Sequence, residues 1–209
     1  MRIARCLRRR ETGLPEATGV VLAGGRSTRF GRDKLAESYK GMPLFHHAIL
    51  RVGEVCSEVV VVLPPGAVER SPPIGVEVRF ARDPVEGEGP LAGMHAGLLA
   101  ARHDVALVAA GDMPGLQTRV MIEMLRVADE AQSDAVALRD GDAVRPLPCI
   151  VRTTRGIDVS HALLHDGRRA LRDLLDALRT AVVDEPTWVA LDPERRTLFD
   201  VDEPSDLIE

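Results

Sequence analysis

Four consecutive valines, Val59-Val60-Val61-Val62, set the first limit on how this chain can fold. Successive side chains of a strand point to opposite faces of a sheet. An unbroken β-branched run therefore needs apolar cover on both faces. Parallel sheets with helices packed on either side supply that cover. The run opens near Glu58 and is stopped by Pro64-Pro65-Gly66.

The remaining pattern alternates in the same way. Apolar runs at Gly19–Ala23, Val76–Ala81, Val105–Ala110, Ala135–Leu138, Leu147–Val151 and Leu198–Val201 read as strands. Helical spacing covers Pro43–Val55, Leu91–Arg102, Gln117–Ala131 and Arg168–Arg179. In the third of these helices Val120, Met121, Met124, Leu125 and Ala128 form the apolar stripe. A turn at Asp140–Asp142 joins two of the strands as neighbours. The expected fold is α/β: a single Rossmann-like three-layer domain with a mainly parallel, mixed sheet.

The length of 209 residues suits one domain with a full core. No repeat or linker divides it. Arg2, Arg5, Arg8, Arg9 and Arg10 crowd the start, with no apolar stretch behind them. Residues 1–17 are thus expected to form a flexible basic tail, and 18–209 the domain. The net charge of −5 gives no general attraction to nucleic acid or anionic membrane. No apolar run is long enough to cross a bilayer. Cys6, Cys56 and Cys149 are odd in number and far apart, which argues against a disulfide framework and fits the cytoplasm.

In sheets of this kind ligands bind beyond the carboxyl ends of the strands. The first strand runs into Leu22-Ala23-Gly24-Gly25, followed by Arg26, Arg29, Arg32 and Lys34. Paired glycines let backbone approach a ligand closely. Exposed amides with nearby cations suit a polyphosphate. A Walker loop is excluded, because Gly31 precedes Arg and Lys34 precedes Leu. Lysine occurs only at Lys34 and Lys40, so a compact ammonium at Lys34 stands out.

Two further strand ends carry carboxylates. Val105–Ala110 leads into Gly111-Asp112-Met113-Pro114. A carboxylate there is costly unless paired, and Mg²⁺ commonly takes one or two carboxylates plus phosphate oxygens. The other role for Asp112 is capping the helix near Gln117. Asp200-Val201-Asp202 places two carboxylates on one face of the last expected strand. Asp202 is either a second metal ligand or the cap of a short helix opening at Pro204. Asp83 ends the third strand and is a candidate for hydrogen bonds from base or sugar.

Taken together these residues resemble the molybdenum cofactor guanylyltransferases of the NTP-transferase superfamily. Leu22-Ala23-Gly24-Gly25, Ser27, Arg29, Gly31 and Asp33-Lys34 match that family's opening motif. Gly41, Pro43-Leu44 and His47, then Gly89–Met94 and Gly97-Leu98, match its next segments. Asp112-Met113-Pro114, Pro146–Pro148 and Leu198–Leu207 match the rest. The resemblance implies a nucleotide-diphospho-sugar transferase type of fold. It implies transfer of GMP from GTP to the phosphate of molybdenum-bearing molybdopterin, with release of pyrophosphate. Leu22, Ala23, Gly24, Gly25, Lys34, Asp83 and Asp112 would bind nucleotide, with Lys34, Arg29 and Asp112 catalytic. Asp112, with Asp202, would hold Mg²⁺. The product would pass to a molybdoenzyme or cofactor chaperone by transient contact. Two alternatives stay open. One is a cytidylyltransferase or other NTP-transferase acting on a different phosphorylated molecule; the other is a nucleotide-binding regulatory domain without turnover.

Overall fold

The computed structural model describes residues 15–24, 33–83 and 89–208. Strand β1 (Ala17–Leu22) is buried along its whole length. A small hairpin follows, β2 (Ser38–Tyr39) with β3 (Met42–Pro43), and leads into α1 (Leu44–Val55). Then come β4 (Glu58–Leu63), β5 (Val78–Arg82), α2 (Pro90–Ala100), β6 (Val105–Ala110) and α3 (Thr118–Glu130). The second half holds β7 (Ala135–Asp140), β8 (Ala143–Arg152), α4 (Thr153–His165), α5 (Leu171–Ala177), β9 (Thr180–Val183) and α6 (Glu185–Leu191).

The seven-stranded sheet has the order β5-β4-β1-β6-β8-β7-β9. Neighbours are parallel except around β8, which runs antiparallel to both β6 and β7. The expected α/β architecture with a mainly parallel, mixed sheet is what the chain adopts.

The four valines divide between two cores, as the two-faced reading of that run requires. Val59 and Val61 join Val21, Phe45, Ile49, Met121 and Trp188 on one face. Val60 and Val62 join Val20, Leu91, Met94, Leu98 and Leu174 on the other. All four are nearly inaccessible. Each is worth roughly 1.5–3 kcal/mol in apolar burial.

At the amino end of the sheet a polar network ties strands to helix. The buried Glu58 carboxylate accepts from Thr18 Oγ1 at 2.9 Å, from Arg79 Nε at 3.1 Å and from the Arg102 amide at 3.1 Å. Arg79 also donates to the Ala100 carbonyl at the end of α2.

Two expectations need correction, and some elements lie outside them. Leu198–Val201 is not a strand. A 3-10 turn spans Arg196–Leu198, and only the Val201 amide reaches β6's extension, at Asp112 O. The helix expected over Arg168–Arg179 shrinks to α5, because Arg169 turns its carbonyl to the Leu91 amide. Helix α4 was not expected at all. It buries only Thr153, Gly156 and Ser160, a stripe of small residues that apolar periodicity does not register. A Cβ on Gly156 would lie 2.5 Å from Val151 Cγ1 and 2.8 Å from Leu98 Cδ1, so α4 packs closely against the sheet and α2 at that point. Strand β9 and helix α6 also lie outside the sequence expectations.

Candidate active site

The parallel strands β1, β4, β5 and β6 end along one edge. Pairing continues one residue past each end. The Ala23 amide donates to Val62 O, Asp83 N to Leu63 O and Gly111 N to Leu22 O, each at 2.9 Å. Ala23-Gly24, Asp83 and Asp112 are therefore gathered on one rim by the sheet itself. These bonds occupy the Ala23 amide and one face of the Leu22 carbonyl. Gly24 is exposed.

Lys34 opens a 3-10 turn, Lys34–Ala36, whose cap is the Asp33 carboxylate accepting from the Leu35 amide at 3.2 Å. The turn aims the Lys34 ammonium at three acceptors. Nζ lies 2.7 Å from Asp112 Oδ2, 2.9 Å from Val201 O and 3.5 Å from Asp202 Oδ1. The side chains of Lys34 and Asp112 are 17% and 21% exposed, so this pair is screened less than a surface pair. Asp202 is 59% exposed and its contact is correspondingly weaker.

Asp200 completes the acidic group. Burial pushes its carboxyl up to about 6, and the charges of Asp112 and Asp202 push the same way. Arg145 and Lys34 oppose them. Lys34 thus contacts two carboxylates, Asp112 and Asp202, and acts on a third, Asp200, through its charge. Among the described residues no three His, Cys, Asp or Glu side chains form a ready-made metal cage. Asp112 and Asp202 share one ammonium, which fits a cation held by two carboxylates and completed by phosphate oxygens.

The geometry bears on the capping roles. Gln117 occupies the cap position of α3, and Asp112 faces Lys34 instead. At Pro204–Ile208 the amides of Asp202 and Glu203 both donate to Asp206 Oδ2 at 2.9 Å, while the Asp202 carboxylate faces Lys34.

Asp83 sits beside the start of α2. A Cβ on Gly93 would lie 3.6 Å from Asp83 Oδ2 and 3.9 Å from Leu22 Cδ2. The helix therefore begins next to the rim, and its first amides are already paired, Leu91 N with Arg169 O and Ala92 N with Gly89 O. Gly25 and Arg29 lie outside the described residues, as do Arg26, Arg32 and residues 84–88.

Sequence reasoning passed over Arg145, which acts on Asp200 from β8. It also passed over a cavity of about 610 Å³ bounded by Tyr39, Lys40, His47, Pro114, Arg195 and Phe199, among others. Lone cations and aromatics scattered through a sequence give no local pattern that would find either.

Residues 19–182 match the family model of the MobA-like NTP transferase domain. The chain belongs to that family. Relatives of this MobA-like protein agree. A molybdenum cofactor guanylyltransferase of Desulfosudis oleivorans is 30% identical over 91% of this chain and 92% of its own length. A probable molybdenum cofactor guanylyltransferase of Mycobacterium marinum is 36% identical over 82% of this chain and 85% of its own. Among solved structures, molybdopterin-guanine dinucleotide biosynthesis protein A of Archaeoglobus fulgidus superposes with a TM-score of 0.74 at 23% identity, covering 91% of this chain and 94% of that one. The 2-C-methyl-D-erythritol 4-phosphate cytidylyltransferase of Thermus thermophilus superposes at 0.66 and 21% identity, covering 90% and 94%. At those identities the structures speak for the fold.

Proposed function

We propose that this NTP transferase moves GMP from GTP to the terminal phosphate of molybdenum-bearing molybdopterin. The observation that carries the reading is the Lys34–Asp112 pair on the ligand-binding rim of a MobA-like chain. The names of the two relatives above supply the substrates.

The chemistry needs no covalent nucleophile from the protein. An oxygen of the acceptor phosphate attacks the α-phosphorus of GTP and forms a new P–O bond. The bond to the β-phosphate bridging oxygen breaks, and that electron pair leaves with pyrophosphate. The difficulty is charge, because two anions meet and a third departs. Lys34 supplies an ammonium against the phosphates. Gly24 lies exposed on the rim, and Gly25 and Arg29 would add a backbone amide and a cation to it. Asp83 orients the nucleoside. Asp112, assisted by Asp202, would hold Mg²⁺, which when bound neutralises phosphate charge and aligns the reacting oxygens. We place the reaction in the cytoplasm, with the product handed on by transient contact with a molybdoenzyme or cofactor chaperone. No helix among the described residues is long and apolar enough to cross a membrane.

Calorimetric titration with each of the four NTPs and Mg²⁺ tests the nucleotide. GTP should bind tightest. Tighter CTP binding would turn the assignment to cytidylyl transfer. Binding of GTP without pyrophosphate release in the presence of acceptor would leave a regulatory nucleotide-binding domain.

A further inference from the structure

Residues 64–77 connect β4 to β5, and this connection leans on the turn that aims Lys34. It starts on the rim, where Pro64 Cδ lies 3.9 Å from the place a Cβ on Gly24 would take. Three contacts then pin it. Arg82, at the end of β5, donates from Nη1 to Ala67 O at 2.6 Å. The Arg70 guanidinium lies over the Phe45 ring, 5.5 Å from its centroid. His46 Nε2 is 2.9 Å from Ser71 O, so Nε2–H donates to that carbonyl. Phe45 and His46 belong to the first turn of α1, so the connection is fastened to that helix as well as to the sheet.

From this pinned connection Arg70 reaches the Asp33 carboxylate. Its Nη2 pairs with Asp33 Oδ2, while Asp33 Oδ1 accepts from the Leu35 amide at 3.2 Å. One oxygen caps the 3-10 turn and the other takes the guanidinium. Lys34 is the first residue of that turn and Leu35 the second. Leu35 is buried, with Cδ2 3.4 Å from the place a Cβ on Gly111 would take. The turn is therefore fixed by packing at Leu35, next to the residue before Asp112, and by charge at Asp33.

An ion pair open to water adds little stability, because solvent screens it and both side chains lose rotamer freedom. Asp33 is 50% exposed and Arg70 32%. What the pair supplies is orientation. A planar guanidinium lying over a ring has few positions open to it, and its charge does not titrate in the working range. A cap held at its second oxygen stays turned toward the Leu35 amide, and the Lys34 backbone keeps its direction.

We propose that Arg70 is a positioning residue for the reaction: through Asp33 it fixes the turn that holds the Lys34 ammonium against Asp112. The part of this inference that concerns turnover rests on the proposed transfer; the part that concerns the Lys34 ammonium does not.

The test is Arg70→Met in the full chain, read in two ways. The first is nuclear magnetic resonance of protein labelled with ¹⁵N-lysine. Lys34 and Lys40 are the only lysines, so two Nζ signals report the two ammonium groups. The Lys34 signal should move toward that of exposed Lys40, and the Lys40 signal should stay. The second reading is turnover with GTP and molybdopterin. Misplacing a reacting group by roughly 1 Å costs up to about a hundredfold, and with Leu35 still anchoring the turn a loss of about tenfold is expected. Arg70→Lys keeps a cation for Asp33 and should recover part of that loss. Asp33→Asn keeps an acceptor for the Leu35 amide but loses the anion for Arg70, and it should reproduce both changes even if Arg70→Met fails to fold. In protein already carrying Lys34→Met, Arg70→Met should cost no further turnover, because the two act in series. A Lys34 signal unmoved in both Arg70→Met and Asp33→Asn, or the same fractional loss of turnover with and without Lys34, would overturn the positioning role. Wild-type protein that transfers no nucleotide would overturn the transfer reading alone, and the Lys34 signal would still decide whether Arg70 holds the ammonium.

Discussion

Lys34 and Asp112 meet at 2.7 Å, and one residue, Val201, holds both sides of that contact. Its carbonyl accepts from the Lys34 ammonium at 2.9 Å, and its amide donates to the Asp112 carbonyl at 3.0 Å. The C-terminal segment is thus packed into the proposed site. It locks the cation from the first loop against the carboxylate from β6.

Lys34→Met should lower turnover by about a hundredfold or more, the usual cost of losing one preorganised charge at a transition state. The fold should persist, as circular dichroism would report. A second consequence follows from the pairing. The ammonium now engages both carboxylates, so its removal should tighten Mn²⁺ binding in the absence of nucleotide, measurable by electron paramagnetic resonance. Turnover equal to wild type would remove Lys34 from the chemistry, and weaker Mn²⁺ binding would contradict the shared-ligand geometry.

Asp112→Asn keeps the shape and removes the charge. It should abolish metal-dependent turnover while metal-free nucleotide binding largely survives. Asp202→Asn is milder, because Asp202 is the more exposed and the more distant from Lys34. A several-fold rise in the Mg²⁺ concentration needed for half-maximal activity is expected. An unchanged Mg²⁺ requirement would reduce the site to Asp112, phosphates and water.

Glu58 should make stability depend on pH. Burial alone would raise its pKa, but hydrogen bonds from Thr18, Arg79 and the Arg102 amide outweigh it and hold the carboxyl below its usual value. A lowered folded pKa means the stabilisation is present above the unfolded value of about 4.3 and is lost as pH falls through the folded one. Glu58→Gln should therefore cost about 2 kcal/mol at pH 7. The gap to wild type should narrow below about pH 4. Denaturant midpoints across pH would show it. A gap independent of pH would assign the loss to shape alone.

Gly97→Ala should destabilise the protein by about 1–3 kcal/mol. The added Cβ would meet Val20 Cγ1 at 2.4 Å and Val62 Cγ2 at 3.0 Å. That contact presses α2 onto β1, so nucleotide affinity should weaken along with thermal stability. An unchanged melting temperature would mean that α2 can shift without consequence.

The fold was legible where physics is local. The valine run of β4 and the apolar stretch of β6 gave strands with the bounds expected, because burial on both faces demands β-branched and small apolar residues. The stripe of α3 gave its helix for the same kind of reason. Helix α4 was illegible, because it is held by Gly156, Thr153 and Ser160 fitting closely rather than by apolar periodicity. The site divides likewise. Lys34, Asp112 and Asp202 could be singled out from their places after strands and turns, and the structure brings them together. The coupling of Arg145 to Asp200, and the cavity beside Lys40, depend on β8 and the hairpin meeting the C-terminal segment. No spacing within the sequence encodes that meeting.

The central claim is the transfer of GMP to a phosphorylated pterin, and product analysis tests it most directly. Purified protein should be incubated with GTP, Mg²⁺ and molybdenum-bearing molybdopterin, with pyrophosphate and nucleotide products followed by chromatography. Stoichiometric pyrophosphate and a guanine dinucleotide are expected, with little product from CTP, ATP or UTP. A cytosine dinucleotide formed in preference, or no pyrophosphate with any nucleotide, would contradict the account.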